Sequence, residues 1–109
     1  MHSLIQDNLE AIRALCREYG VARLDVFGSA ADGRFATHLS DFDFVVAFAE
    51  PHLSGYADRY LGLAESLEAL LERRVDLVVE RAIRNPYFRA EFEATRRLVF
   101  NETYAHTPV

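Results

Sequence analysis

Three apolar segments of strand type constrain the fold of this chain most. They cover residues 24–27, 41–48 and 75–79, and valine and phenylalanine, which favour strands, dominate them. Before the first segment, from about Ser3 to Tyr19, and between the second and third, from about Tyr56 to Glu72, the apolar residues follow helical spacing instead. Strands that alternate with helices predict an α/β (α+β) layer arrangement, with helices packed on a sheet.

The second and third of these segments carry three aspartates that are candidate metal ligands. Asp41 and Asp43 stand at alternate positions, so a strand projects both from one face, where they repel each other unless a cation lies between them. Asp76 interrupts an apolar run, which is costly unless something pairs with it. If the two strands are neighbours, the three carboxylates converge, and such hard oxygen ligands suit Mg²⁺. Three carboxylates could hold two metal ions.

The first strand-type segment ends abruptly at Gly28 and Ser29. Glycine lets backbone N–H groups approach a ligand closely, and residues 30–32 are compatible with a first helical turn, whose N-terminus favours an anion such as a triphosphate. Ser29 adds a hydroxyl group. Arg34 can reach phosphate and Ser40 immediately precedes the acidic pair, so both are further candidates for nucleotide binding.

Two other phosphate-binding motifs are excluded. Gly28 and Gly33 have the spacing of a Walker A loop, but Arg34 and Phe35 stand where that loop needs lysine and then serine or threonine. A dinucleotide-binding fingerprint fails because Ala30 occupies the second glycine position.

Taken one at a time, the remaining features are common. A Gly-Ser turn occurs in many proteins, an acidic pair at the start of a strand is often a solvated edge, and Asp76 alone could pair with Arg73 or Arg74. Their order along the chain, each on its expected element, favours a nucleotide site.

Together, Gly28-Ser29, Asp41-x-Asp43 and Asp76 resemble the motifs of the minimal nucleotidyltransferases of the polymerase-beta-like superfamily. The resemblance covers most of the chain and implies a small mixed sheet backed by helices on one face, with the site on the other. It also implies transfer of AMP from ATP to a hydroxyl group. Asp41 and Asp43 would then bridge two Mg²⁺ ions, Asp76 would complete the metal nearest the acceptor, and Gly28 and Ser29 would hold the β- and γ-phosphates.

Stand-alone members of this family resemble the antitoxins of bacterial toxin–antitoxin pairs, whose partner is a small helical HEPN-type ribonuclease. The resemblance therefore implies such a toxin as partner, with one of its tyrosines as acceptor. Two departures leave an alternative open, a binding-only antitoxin with a degenerate site: Asp32 stands where the family usually has arginine, and the spacer at residues 30–40 is longer than usual. Transfer to a small hydroxylated molecule is a further alternative, for which so short a chain would need to form a homodimer.

Composition limits the rest. A chain of 109 residues predicts a single domain, residues 1–109, with one core. The net charge of −5 and the absence of a basic stripe argue against nucleic acid as a direct ligand.

The single cysteine, Cys16, excludes an internal disulfide and lies on the apolar stripe of the first helix, so we expect an inert thiol. No apolar run resembles a signal peptide or membrane span, so the expected compartment is the cytoplasm.

The last part of the sequence predicts a helix from Asn85 to about Phe100. Asn85 can cap this helix, and Pro86 fits the first helical position, where no N–H group is needed. Its apolar residues extend over more of the circumference than one core-facing stripe requires. We therefore expect either a helix wedged between the sheet and a neighbouring helix, or a partner-binding surface.

Overall fold

A computed structural model describes residues 1–28, 42–50 and 54–102 of the chain. Its elements, in chain order, are α1 (Ser3–Asp7), α2 (Leu9–Glu18), β1 (Val21–Phe27), β2 (Phe42–Phe48), α3 (Tyr56–Leu71), β3 (Val75–Val79), a 3-10 turn (Glu80–Ala82), α4 (Pro86–Thr95) and β4 (Arg97–Asn101). Within these ranges, no helix has both the length and the apolar character needed to cross a membrane.

The strands form a mixed sheet in the order β3-β2-β1-β4. Strand β1, one of the two inner strands, is antiparallel to both of its neighbours, β2 and β4, whereas β2 and β3 are parallel. Because β2 and β3 are parallel, their first residues lie at the same end of the sheet. The small mixed sheet predicted from the sequence is therefore confirmed.

One face of the sheet and the helices α1, α2 and α3 build the main core. Alternate residues of the strands point into it, and helical residues at 3.6-residue spacing meet them. Its fully buried members include Ile5, Ile12, Leu24, Val26, Phe44, Val46, Leu63 and Leu67. Burial of each such side chain contributes about 1.5–3 kcal/mol relative to exposure, so this helical layer holds the sheet in place.

The opposite face of the sheet carries a smaller core and the acidic residues. Phe27, Val45 and Phe92 are buried together there, so α4 covers part of this face. Phe27 is the cross-strand partner of Asp43, and facing partners share a side of the sheet. The predicted helical layer on one face is thus confirmed, and α4 adds a helix beside the candidate site.

The first helix, predicted as continuous from Ser3 to Tyr19, is divided at Asn8. The backbone of Asn8 leaves the helical conformation (φ −112°, ψ 14°). Its side-chain Nδ2 donates to the Leu4 carbonyl at 2.8 Å. Asparagine commonly ends helices in this way because its amide competes with the backbone for hydrogen bonds.

The predicted end of the last helix is wrong. Helix α4 ends at Thr95, because Arg96 adopts an extended conformation (φ −61°, ψ 140°), and the following residues form β4. Pairing with β1 satisfies the backbone groups that face this strand, and Val99 and Phe100 are buried in the main core. The apolar residues covered too much of a helical circumference because they belong to two elements.

The predicted start of this helix is confirmed. The Asn85 side chain accepts hydrogen bonds from the N–H groups of Tyr87 at 2.8 Å and Phe88 at 3.2 Å, and Pro86 occupies the first turn. Tyr87 is 86% exposed and Phe88 is 37% exposed. The helix therefore buries Phe92 against the sheet and leaves two aromatic side chains at its first turn accessible.

We expect Cys16 to be unreactive in the native protein. It is fully buried in the main core, and this burial raises its pKa from the ordinary 9.0 to about 12. Because the folded state keeps the thiol proton longer, the corresponding contribution to stability is complete below pH 9 and is lost as the pH rises towards 12. A chromogenic disulfide reagent at neutral pH should label Cys16 only after denaturation; rapid labelling of the folded protein would contradict this.

Candidate functional site

Two of the predicted metal ligands lie next to each other on the neighbouring strands β2 and β3. Asp43 and Asp76 are directly paired in the parallel register of these strands. Asp43 is half-buried and Asp76 is exposed. Neighbouring strands lie about 4.8 Å apart, so the two carboxylates stand side by side on one face. Like charges in this arrangement repel unless a cation is shared between them.

The apolar pattern of each strand dictates this placement. Phe42 and Phe44 point into the main core, which turns Asp43 to the opposite face. In β3, Val75 and Leu77 do the same for Asp76. A register slip of one residue would bury a carboxylate in the main core, so the hydrophobic effect fixes the site.

A partly buried tyrosine holds the backbone of β3 next to Asp76. The Tyr60 hydroxyl donates to the Leu77 carbonyl, which belongs to the residue following Asp76. Burial raises the pKa of Tyr60, and the negative charge of Asp76 raises it further. The hydroxyl therefore keeps its proton and its bond to β3, which limits movement of the Asp76 backbone.

The predicted turn at Gly28 lies beside Asp43. Gly28 follows β1 with φ +72°, a left-handed conformation that glycine adopts without strain. A side-chain carbon added at this position would lie 3.7 Å from Asp43 Oδ2. The Gly28 N–H group donates to Thr95 Oγ1 at 2.9 Å. Gly28 thus brings the chain close to Asp43, while its own N–H group is engaged by the end of α4.

Four of the predicted residues, Ser29, Arg34, Ser40 and Asp41, lie outside the described residues, and their roles remain predictions. Among the residues that the structure describes, no group of three His, Cys, Asp or Glu side chains is arranged to hold a metal. The described part of the site is the pair Asp43 and Asp76. Mg²⁺ usually takes one or two protein carboxylates and completes its shell with water and phosphate oxygens, so this pair fits such an ion.

Sequence reasoning missed a buried ionic cluster next to the turn. Asp25 of β1 is fully buried, and Arg96 Nη2 donates to its Oδ2 at 2.7 Å. Arg23 donates to both carboxylate oxygens, at 2.9 and 3.2 Å. The cluster fastens the end of α4 to β1 close to Gly28. The signal was available, because Asp25 interrupts an apolar strand segment just as Asp76 does.

Burial would by itself lower the pKa of Arg96, but the hydrogen bond and the charge of Asp25 raise it more. Hydrogen bonding to Glu93 and the charge of Glu80 add to the same effect, and the pKa of Arg96 is raised overall. Its guanidinium also lies over the Phe92 ring, 4.3 Å from the centroid. Arg96 is therefore a permanent cation that compensates the buried Asp25.

Comparison with known proteins decides the family. Residues 9–99 match the family described as the nucleotidyltransferase domain. The chain is a member of this family. The match includes the described site residues Gly28, Asp43 and Asp76.

The nucleotidyltransferase is also similar to a curated archaeal protein. The relative is the protein adenylyltransferase MntA of Thermococcus cleftensis, with 36% identity in an alignment of length 91 that covers 78% of this chain and 87% of the relative. The similarity therefore extends well beyond a single motif.

Two solved structures share the fold. One, described as a minimal nucleotidyltransferase, has a TM-score of 0.69 and 35% identity, and the alignment covers 89% of this chain and 95% of the other. The second is a Shewanella oneidensis MNT antitoxin in complex with a tri-AMPylated HEPN toxin. That match has a TM-score of 0.62 and 20% identity, covers 93% of this chain and 76% of the other, and shows likeness of fold alone.

Proposed function

We propose that this nucleotidyltransferase transfers AMP from ATP to a hydroxyl group of a protein, in a reaction that depends on Mg²⁺. The observation that carries the proposal is the direct pairing of Asp43 with Asp76, on the face of the sheet where the Gly28 turn approaches Asp43. Two adjacent carboxylates beside a candidate phosphate-binding turn are what metal-assisted nucleotidyl transfer requires.

In this reaction the acceptor oxygen attacks the α-phosphorus of ATP. The bond from that phosphorus to the bridging oxygen of the β-phosphate breaks, pyrophosphate leaves, and the acceptor hydroxyl gives up its proton. Bound Mg²⁺ would supply charge neutralisation on the phosphates and a lowered pKa for the acceptor hydroxyl. Two ions are proposed, one near the acceptor and one near the leaving group.

The chain's residues divide these tasks by position. Asp43, half-buried beside Gly28, would hold both metal ions together with Asp41. Asp76 is exposed, so it would hold the metal ion nearest the acceptor and help to take up the acceptor's proton. Gly28 and Ser29 would orient the β- and γ-phosphates, with Arg34 and Ser40 as further contacts.

The proposed acceptor is a tyrosine of a HEPN-type toxin, and the proposed role is that of an antitoxin. The relative named protein adenylyltransferase MntA supports a protein as acceptor, and the solved complex of an MNT antitoxin with an AMPylated HEPN toxin supports the kind of partner. Tyr87 and Phe88 leave an aromatic surface exposed on α4. Because the reaction consumes ATP, the cytoplasm is the proposed compartment.

The test is the intact mass of the protein that co-purifies with this chain from its host. The complex is incubated with ATP and Mg²⁺, with ATP and a chelator, or with an Asp43→Asn variant of the chain. The proposal requires a gain of one or more adenylyl units only in the first case. A stable complex whose mass never changes would contradict the transferase function.

A binding-only antitoxin is the second candidate, favoured by the acidic residue Asp32 in the segment where the family usually carries arginine. An acidic side chain there would weaken triphosphate binding by repulsion. This candidate requires that a folded Asp43→Asn, Asp76→Asn double variant still neutralises the toxin in a growth assay. Loss of neutralisation in that variant would exclude it.

A further inference from the structure

We propose that Thr95 is a positioning residue for nucleotide binding, because its hydroxyl fixes the turn at Gly28 from the end of α4. The inference rests on the proposed function, since it assumes that this turn binds the nucleotide phosphates. Nothing in the sequence motif pointed to Thr95, which belongs to another element and follows the last predicted site residue.

The Thr95 hydroxyl is oriented by two hydrogen bonds. It accepts from the Gly28 N–H group at 2.9 Å and donates to the Glu91 carbonyl, one helical turn earlier, at 2.9 Å. A hydroxyl has a single proton, so the bond to Glu91 directs its lone pairs towards Gly28. The contact joins residues that are 67 positions apart in the sequence.

The end of α4 does not depend on this hydroxyl for its place on the sheet. Phe92 packs edge-to-face on Phe27, with ring centroids 5.7 Å apart, and Arg96 is bonded to the buried Asp25 at 2.7 Å. These contacts lie on either side of Thr95 and hold the helix against β1. Loss of the hydrogen bond between Thr95 and Gly28 should therefore alter the turn at Gly28 and leave the fold intact.

Glycine has more backbone freedom than any other residue, so Gly28 needs a hydrogen-bond partner to hold the turn in one conformation. Its left-handed φ of +72° brings the chain close to the Asp43 carboxylate, the proposed metal ligand. Without the Thr95 bond the turn would sample more conformations, and ATP binding would have to order it. The expected loss lies in ATP affinity, while turnover at saturating ATP stays nearly unchanged.

The experiment compares Thr95→Val, which removes the hydroxyl at similar size, with Thr95→Ser, which keeps it. Calorimetric titration with Mg²⁺-ATP gives the dissociation constant, and adenylyl transfer to the co-purified partner gives kcat and KM. We expect Thr95→Val to weaken ATP binding and raise KM by about three- to tenfold, the effect of one hydrogen bond, with kcat within about twofold. Thr95→Ser should resemble the wild type.

The matched control is Ser66→Ala, which removes the serine hydroxyl bonded to the Tyr19 hydroxyl at 3.2 Å, in the helical layer that builds the main core. It should leave ATP affinity unchanged. Unchanged affinity in Thr95→Val, with or without a lower Tm, would overturn the positioning role, as would equal weakening in Thr95→Ser. Failure of the proposed function is distinct, because it appears as a wild-type complex that shows no adenylyl transfer at all.

Discussion

Replacement of Asp43 by asparagine is expected to lower the rate of adenylyl transfer about a hundredfold or more, as for loss of one preorganised electrostatic group at a reaction centre. Asparagine has the same shape but is a neutral and weaker ligand for a hard cation. The fold should persist, since the substitution removes one of two facing like charges. Transfer to the co-purified partner is measured by intact mass over time, and Tm is recorded for both proteins.

Asp58→Asn is the control for this substitution. Asp58 is an exposed aspartate in the first turn of α3. Its neighbour Arg59 donates hydrogen bonds to the Gly20 and Ala49 carbonyls, so Asp58 lies at the end of the sheet away from Gly28. This variant should retain full transfer. If Asp43→Asn and Asp58→Asn were equally active, the carboxylate pair would not be the reaction centre.

Replacement of Arg96 by methionine is expected to cost about 3–5 kcal/mol of unfolding free energy, the usual effect of leaving a buried charge without its partner. Asp25 is fully buried, so it cannot regain the solvation that Arg96 replaces. Arg23 would remain bonded to Asp25, and its own side chain is 42% exposed, which places the loss nearer the lower bound. Urea denaturation measures the change.

Two further variants separate this effect from ordinary loss of side-chain contacts. Arg89→Met removes an arginine of α4 that makes a long, exposed ion pair with Glu93, at 4.0 Å, and a hydrogen bond to the Glu80 carbonyl at 3.3 Å, so its cost should be at most about 1.5 kcal/mol. The double variant Asp25→Leu, Arg96→Met removes both charges of the ion pair and should recover most of the loss. A loss in Arg96→Met no larger than in Arg89→Met would show that Asp25 does not need Arg96.

The positions of Asp43 and Asp76 could be predicted because local patterns determine them. Alternating apolar residues set which face of β2 and β3 each aspartate occupies, and the apolar residues on both sides of Asp76 mark β3 as a strand. The start of α4 was likewise local, since Asn85 and Pro86 are adjacent capping signals.

The division between α4 and β4 could not be predicted in this way. Residues 97–101 are apolar enough to extend a helical stripe, and they become a strand only because β1 offers an edge for pairing. Their preference is decided by a partner far away in the sequence. The local rule therefore extended the helix into residues that belong to the sheet.

The contacts that hold the turn were also beyond sequence reasoning. Asp25 meets Arg96 across 71 positions, and Gly28 meets Thr95 across 67. No periodicity relates such pairs. The one local signal was the carboxylate of Asp25 in an apolar strand, which requires a partner that the sequence does not locate.

The most direct test of nucleotidyl transfer follows the two ends of ATP separately. The complex of this chain with its co-purified partner is supplied with Mg²⁺ and ATP that carries a label on either the α- or the γ-phosphate. Attack at the α-phosphorus predicts that the α-label becomes bound to the partner and that the γ-label leaves with pyrophosphate. Retention of the γ-label on the partner, or of neither label, would contradict the proposed reaction.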